Sequence, residues 1–246
     1  MIVQIVLYVV IAALATVAFR ARARGRIRMG LGPRAGAVGD VGIGAAITGV
    51  AMLGVFVVGS LLGIVQVERV GFDVLVLLAA LVIYLVLAAI EEMVYRLFAV
   101  NGLLALSGSR WIAVAGAAVL LGAGHASNTG ATVLSVVSAT LGGVMYGTAF
   151  VLSGRVWMPL GMHLAWNLVQ GAVLGYPVSG TALAGAAVVH QGPADGPVWL
   201  TGGAYGPEGG VVGIAFRLVV IAAVLGLAPR RRRTAGLAEV PSVVPR

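Results

Sequence analysis

The chain has 246 residues, of which 60% are hydrophobic and only 10% charged, with a mean hydropathy of +1.07. A soluble domain carries roughly 25% charged residues, so composition places this chain in a membrane and leaves no stretch polar enough for a separate soluble domain. Cysteine is absent, which excludes thiol catalysis, disulfides and Cys-ligated metals, and all sixteen basic residues are arginine.

The net charge of +8 does not point to nucleic acid. Six arginines fall within Arg20–Arg34 and four form Arg230–Arg233, both beside apolar spans. That is the pattern of cytoplasmic anchoring to anionic lipid.

The first apolar stretch, Ile2–Phe19, has its basic cluster after it rather than before it. A signal peptide shows the reverse order, so the stretch reads as a retained helix with its N-terminus outside. Further spans follow at about Val41–Val65, Val74–Ser107, Trp111–Gly124, Thr132–Leu152, Trp157–Gly175 and Val211–Ala228. Each approaches the ~20 residues that cross ~30 Å of hydrocarbon, with Trp111–Gly124 the shortest.

Seven spans put Arg20–Arg34, Arg110, Arg155 and Arg230–Arg233 inside, and Glu68, Asp73, Asp195 and Glu208 outside. The sequence therefore predicts an all-α polytopic bundle, N-out and C-in. Residues 1–229 form one integral membrane domain, and 230–246 a basic, disordered cytoplasmic tail. Tyr176–Gly210 is rich in Gly and Pro. It reads as an outer loop, a re-entrant element or part of an eighth span. Gly143–Gly147 and Gly171–Gly175 have the spacing of close helix packing in lipid.

Seventeen uncharged residues, Val74–Ile90, end abruptly in Glu91 and Glu92, and Arg96 follows. A charge near mid-bilayer costs about 2.5–3.5 kcal/mol on insertion scales, so an intramembrane ionisable residue is a functional candidate by default. The other strongly polar residues in the spans are His125, His163, Asn167, Gln170 and Arg217.

Glu91 lies seventeen residues before Gly108 and His125 seventeen after it. In an antiparallel helical hairpin turning at Ser107–Ser109, both side chains reach the same depth, about 25 Å along each arm. A carboxylate and an imidazole side by side can deprotonate a water held between them. His163 and Asn167, four apart on one helix face, offer donors for a tetrahedral oxyanion. Arg96 suits a fixed counter-charge for Glu92. Taken singly, each residue has a plainer reading: a structural clamp for Glu92–Arg96, an interfacial position for His125, interhelical hydrogen bonding for His163 and Asn167. Gln170 reads as structural, Arg217 as snorkelling, and His190 has no role.

Glu91-Glu92-Met93-Val94-Tyr95-Arg96 resembles the EExxxR motif of the CPBP intramembrane endopeptidases, the CAAX-protease and bacteriocin-processing family. Leu121-Gly122-Ala123-Gly124-His125 is similar to its FxxxH motif, with Leu121 in place of Phe. His163-Leu164-Ala165-Trp166-Asn167 is similar to HxxxN. The resemblance covers about residues 85–170. It implies an all-helical membrane peptidase in which Glu91 and His125 activate water, His163 and Asn167 hold the oxyanion, and Glu92 and Arg96 support them. It also implies a mechanism without metal or other cofactor; zinc on the two histidines and a glutamate is the alternative.

The expected partners are the lipid bilayer and a peptide or membrane-protein substrate, such as a leader, bacteriocin or signalling peptide. The composition suggests a bacterial plasma membrane, and oligomeric state is open. Two other classes remain: a catalytically silent scaffold or immunity protein of the same fold, and a proton-coupled carrier with Glu91 and His125 as its relay.

Overall fold

The computed structural model describes residues 2–32, 35–183 and 185–234. Apolar sequence folds here into long helices because a backbone in hydrocarbon must satisfy its own hydrogen bonds. Helix α1 (Ile2–Ala23) leads to α2 (Ala37–Leu61), strand β1 (Val67–Val70) and α3 (Val74–Glu92). A π-helical segment, Met93–Val100, joins α3 to α4 (Asn101–Ser107), so 74–107 form one rod. After α5 (Arg110–His125) and α6 (Val133–Ser153) comes α7 (Trp157–Leu168), extended by a second π segment, Val169–Val173. Strand β2 (Val189–Gln191), the short α8 (Val198–Thr201) and α9 (Val211–Thr234) complete the order.

Four of these helices are long and apolar enough to cross a membrane: 4–23, 37–61, 74–107 and 133–153. The helices at 110–125 and 211–227 are apolar but shorter. Helix α2 begins and ends about four residues earlier than its sequence span, and α9 continues through Arg230–Arg233 to Thr234. Of the tail expected from sequence, residues 235–246 lie outside the described residues.

Local chemistry sets the ends. Asp73 caps α3 by accepting from Leu75 N and Val76 N. Gly108 ends α4 at φ +67, a left-handed position that costs glycine little, and Ser109 caps α5. Thr132 and Ser135 form a reciprocal capping box on α6.

Small residues let the rods approach closely. A Cβ on Gly143 would lie 2.6 Å from Cα of Ala118, so α5 and α6 touch backbone to backbone. Gly161 on α7 is pressed in the same way against the Val41 backbone of α2. The largest apolar cluster lies among α2, α6, α7 and α9, around Met52, Met145, Met162 and Trp166.

At one end of the bundle, Gln4 Nε2 donates to Ser127 Oγ at 3.0 Å and Asn128 Nδ2 to the Ser179 carbonyl at 2.9 Å. At the other, Asn101 Nδ2 donates to the Met29 carbonyl at 3.2 Å, and Arg155 pairs with Asp40 at 2.8 Å. Residues 176–210 hold no helix of spanning length among those described, so the possible eighth span does not form. They fold as a cap instead: β2 pairs antiparallel with β1, and Arg69 lies 2.9 Å from His190 Nε2 across the pair.

Candidate active site

Helix α3 shows why adjacent glutamates have different surroundings. Its buried residues are Ala80, Tyr84, Ala88 and Glu92, spaced by four along one stripe. Leu75, Leu78, Val82, Val86 and Ile90 stay exposed on the apolar outer face. Glu92 completes the buried stripe and is 1% exposed, whereas Glu91, about 100° around the helix, keeps 34% exposure.

The π segment begins at the residue after Glu92 and carries Arg96. Such segments are rare and often occur at functional positions. Arg96 Nε stands 3.0 Å from Glu92 Oε2, and both side chains are 1% exposed. The contact lacks hydrogen-bond alignment, so it is a charge pair. The guanidinium also lies 5.3 Å from the ring centroid of Tyr146.

His163 enters from α7 and meets both glutamates. Its Nδ1 is 3.0 Å from Glu92 Oε1, and its Nε2 is 3.9 Å from Glu91 Oε2. The ring stacks on Tyr146 from α6, with centroids 4.7 Å apart and planes 14° apart. A chain of side chains therefore runs Arg96–Glu92–His163, with Tyr146 against both ends.

His125 closes the buried stripe Val114, Ala117, Ala118, Leu121 at the end of α5. Its Nδ1 is 2.9 Å from the Leu121 carbonyl one turn back. That contact requires a proton on Nδ1 and leaves Nε2 bare in the neutral ring. The hairpin brings the neighbouring Gly124 against the rod of Glu91: a Cβ there would be 2.7 Å from Tyr95 Oη. Asn167 lies one turn beyond His163 on the same face of α7 and is half-buried. The contacts thus unite Glu91, Glu92, Arg96 and His163, while His125 hydrogen-bonds within its own helix.

Sequence reasoning missed three participants. Tyr146 lies in a glycine-rich helix whose other aromatic is Phe150. Trp166 and Glu208 belong to a second buried network. Glu208 lies in the cap at 2% exposure. It accepts from Trp166 Nε1 at 2.9 Å, from Ser179 N and Oγ at 2.7 and 2.8 Å, and from Arg217 Nη2 at 2.5 Å. Burial pushes the Glu208 carboxyl up, but Arg217, Ser179 and Trp166 outweigh it and hold the group below the ordinary carboxylate range. Arg217 is 5% exposed and also donates to the Ser138 carbonyl. It does not snorkel: a carboxylate from the cap satisfies it inside the bundle. Gln170 donates to the Pro177 carbonyl at 2.6 Å, another tie from α7 to the cap.

No three of the described His, Asp and Glu side chains converge as metal ligands would.

The family described as type II CAAX prenyl endopeptidase, Rce1-like, matches residues 73–169. The match is consistent with the CPBP family. The CPBP-like segment starts at the cap of α3 and ends just past Asn167, so it contains all three motifs. Neither the curated proteins nor the solved structures give a significant match. The CPBP match suggests an intramembrane endopeptidase, and the helical membrane fold agrees with it.

Proposed function

We propose that the protein is a multi-pass endopeptidase of a bacterial plasma membrane that hydrolyses a peptide bond of a membrane-associated peptide or protein. The observation that carries this reading is the placement of His163 between two glutamates of unlike environment, Glu92 buried and Glu91 open.

In this reading Glu91 and His125 hold the attacking water, and the bare Nε2 of His125 or the Glu91 carboxylate takes its proton. Hydroxide adds to the scissile carbonyl carbon. As imidazolium, His163 donates through both nitrogens, from Nδ1 to Glu92 and from Nε2 to the new oxyanion. The Asn167 amide supplies the second donor. Collapse of the tetrahedral intermediate breaks the C–N bond, and the proton taken from water passes to the leaving amine. Glu92 and Arg96 keep His163 oriented and touch no substrate. The amphipathic environment suits a leader, bacteriocin or signalling peptide, delivered from within the bilayer or its edge.

The test uses wild type, Glu91→Gln and His125→Ala, purified and reconstituted, with a library of membrane-associated peptides. Cleavage by wild type that is lost in both variants and indifferent to chelator is the expected result. Activity surviving both substitutions would overturn the site. Loss with chelator and rescue by zinc would overturn the metal-free mechanism.

A further inference from the structure

At the arginine-rich end of the bundle, the last turn of α1 and the end of α4 enclose a pocket of about 170 Å³. That is room for about five waters, comparable to a phosphate with its ester arms. Arg20, Arg24 and Arg26 line one side, and Val17, Ala105 and Leu106 make an apolar wall. All three arginines are exposed.

A plainer role for these arginines is to neutralise helix ends. Two C-termini, at Ala23 and Ser107, meet here, and each carries about half a negative charge. Together they offset about one of three positive charges. Among the described residues the only arginine contact to those carbonyls is long, Arg26 Nη2 to Ala105 O at 3.5 Å. Among the described residues no carboxylate pairs with the three arginines; Asp40, at the same end, is held by Arg155. About two positive charges therefore remain focused on one concavity.

The surroundings say what kind of anion completes it. Leu106, 65% exposed, forms part of the pocket wall, and Phe19, 54% exposed, precedes Arg20 at the end of the apolar run of α1. At this margin bilayer lipid already covers the apolar surface, so the anion at hand is a lipid headgroup whose acyl chains lie along that rim. We propose that this pocket binds the phosphate headgroup of an anionic phospholipid, seated between α1 and α4. This site is distinct from the glutamate–histidine cluster and stands or falls independently of the peptidase reading.

The experiment is native mass spectrometry of the full-length protein in micelles doped with phosphatidylglycerol or, as the zwitterionic control, phosphatidylcholine. Phosphatidylglycerol should be retained in preference. Each of Arg20→Gln, Arg24→Gln and Arg26→Gln should weaken retention about fivefold, from the contribution of one basic group near an anionic lipid. The triple Arg→Lys variant should retain most of it. The charge-matched triple Arg22→Gln, Arg28→Gln, Arg110→Gln, outside the pocket, should retain wild-type binding. Equal loss in that control, or equal retention of both lipids, would overturn the site. Displacement of the lipid by excess inorganic phosphate would reassign the pocket to a free anion and equally overturn the lipid assignment. The single substitutions lie on exposed side chains and carry the test even where a triple variant folds poorly.

Discussion

Nδ1 of His163 lies 3.0 Å from Oε1 of Glu92, and this contact ties α7 to the end of α3 across the bundle. The same carboxylate faces Arg96 on its other oxygen, so one anion satisfies a cation and an imidazole at once. The arrangement makes Glu92 expensive to remove. Glu92→Ala strands Arg96 as a buried, uncompensated charge, which costs about 3–5 kcal/mol. Thermal unfolding in detergent should show a drop of that size, with helix content falling together with tertiary structure. A change below about 0.5 kcal/mol, the level of an ordinary surface substitution, would mean that Glu92 and Arg96 are not a coupled pair.

Glu91 should behave in the opposite way. At one-third exposed and outside the Arg96 contact, it can lose its charge at little structural cost. Glu91→Gln should keep the wild-type melting temperature while cleavage falls by about 10²–10⁴, the range of a lost general base. The contrast between neighbours, one structural and one chemical, is the sharpest check on the division of labour between them. Equal loss of stability in Glu91→Gln and Glu92→Ala would erase the distinction.

Tyr146 offers a geometric test, because its ring stacks on His163 while Arg96 lies over the same ring. Tyr146→Phe preserves the ring and should leave activity within about threefold. Tyr146→Leu removes the stacking surface, about 0.5–1.5 kcal/mol, and frees the imidazole to turn. Its kcat should fall about two- to tenfold with KM nearly unchanged, since the ring touches no substrate. Peptide cleavage kinetics on the two variants separate these outcomes.

What was legible in the sequence follows from what is local. The uncharged run of α3 makes the glutamates conspicuous before any partner is known, whereas the inward stripe Ala80, Tyr84, Ala88, Glu92 shows only once the helix is packed. The turn at Ser107–Ser109 announces itself through glycine and serine, so the hairpin carrying Glu91 and His125 could be drawn from the chain alone. The contact of His163 with Glu92 could not. It depends on how α7 is rotated against α3, over 71 residues of separation, and on a π segment whose extra backbone residue leaves no compositional mark. Arg217 failed for the same reason: its partner Glu208 lies in a Gly/Pro-rich stretch whose cap fold depends on pairing with β1.

Glu208 yields a prediction in pH. Its folded-state carboxyl is held below the ordinary value of 4.5 against the opposing effect of burial. A depressed carboxylate binds fewer protons folded than unfolded, so it stabilises the fold fully above about 4.5, and that stability is lost as pH falls toward the folded value. Protonation would leave Arg217 buried without its anion and release the ties to Trp166 and Ser179 that fasten the cap to α7 and α9. Melting temperature measured from pH 7 downward should therefore hold steady to about pH 5 and then decline. Glu208→Gln should start lower at neutral pH, by about 3–5 kcal/mol for the orphaned Arg217, and show a shallower acid limb. The double variant Glu208→Gln/Arg217→Met should recover part of that loss, because a hydrophobic residue removes the stranded charge. An acid limb equally steep in Glu208→Gln and wild type would assign the acid sensitivity to other carboxylates.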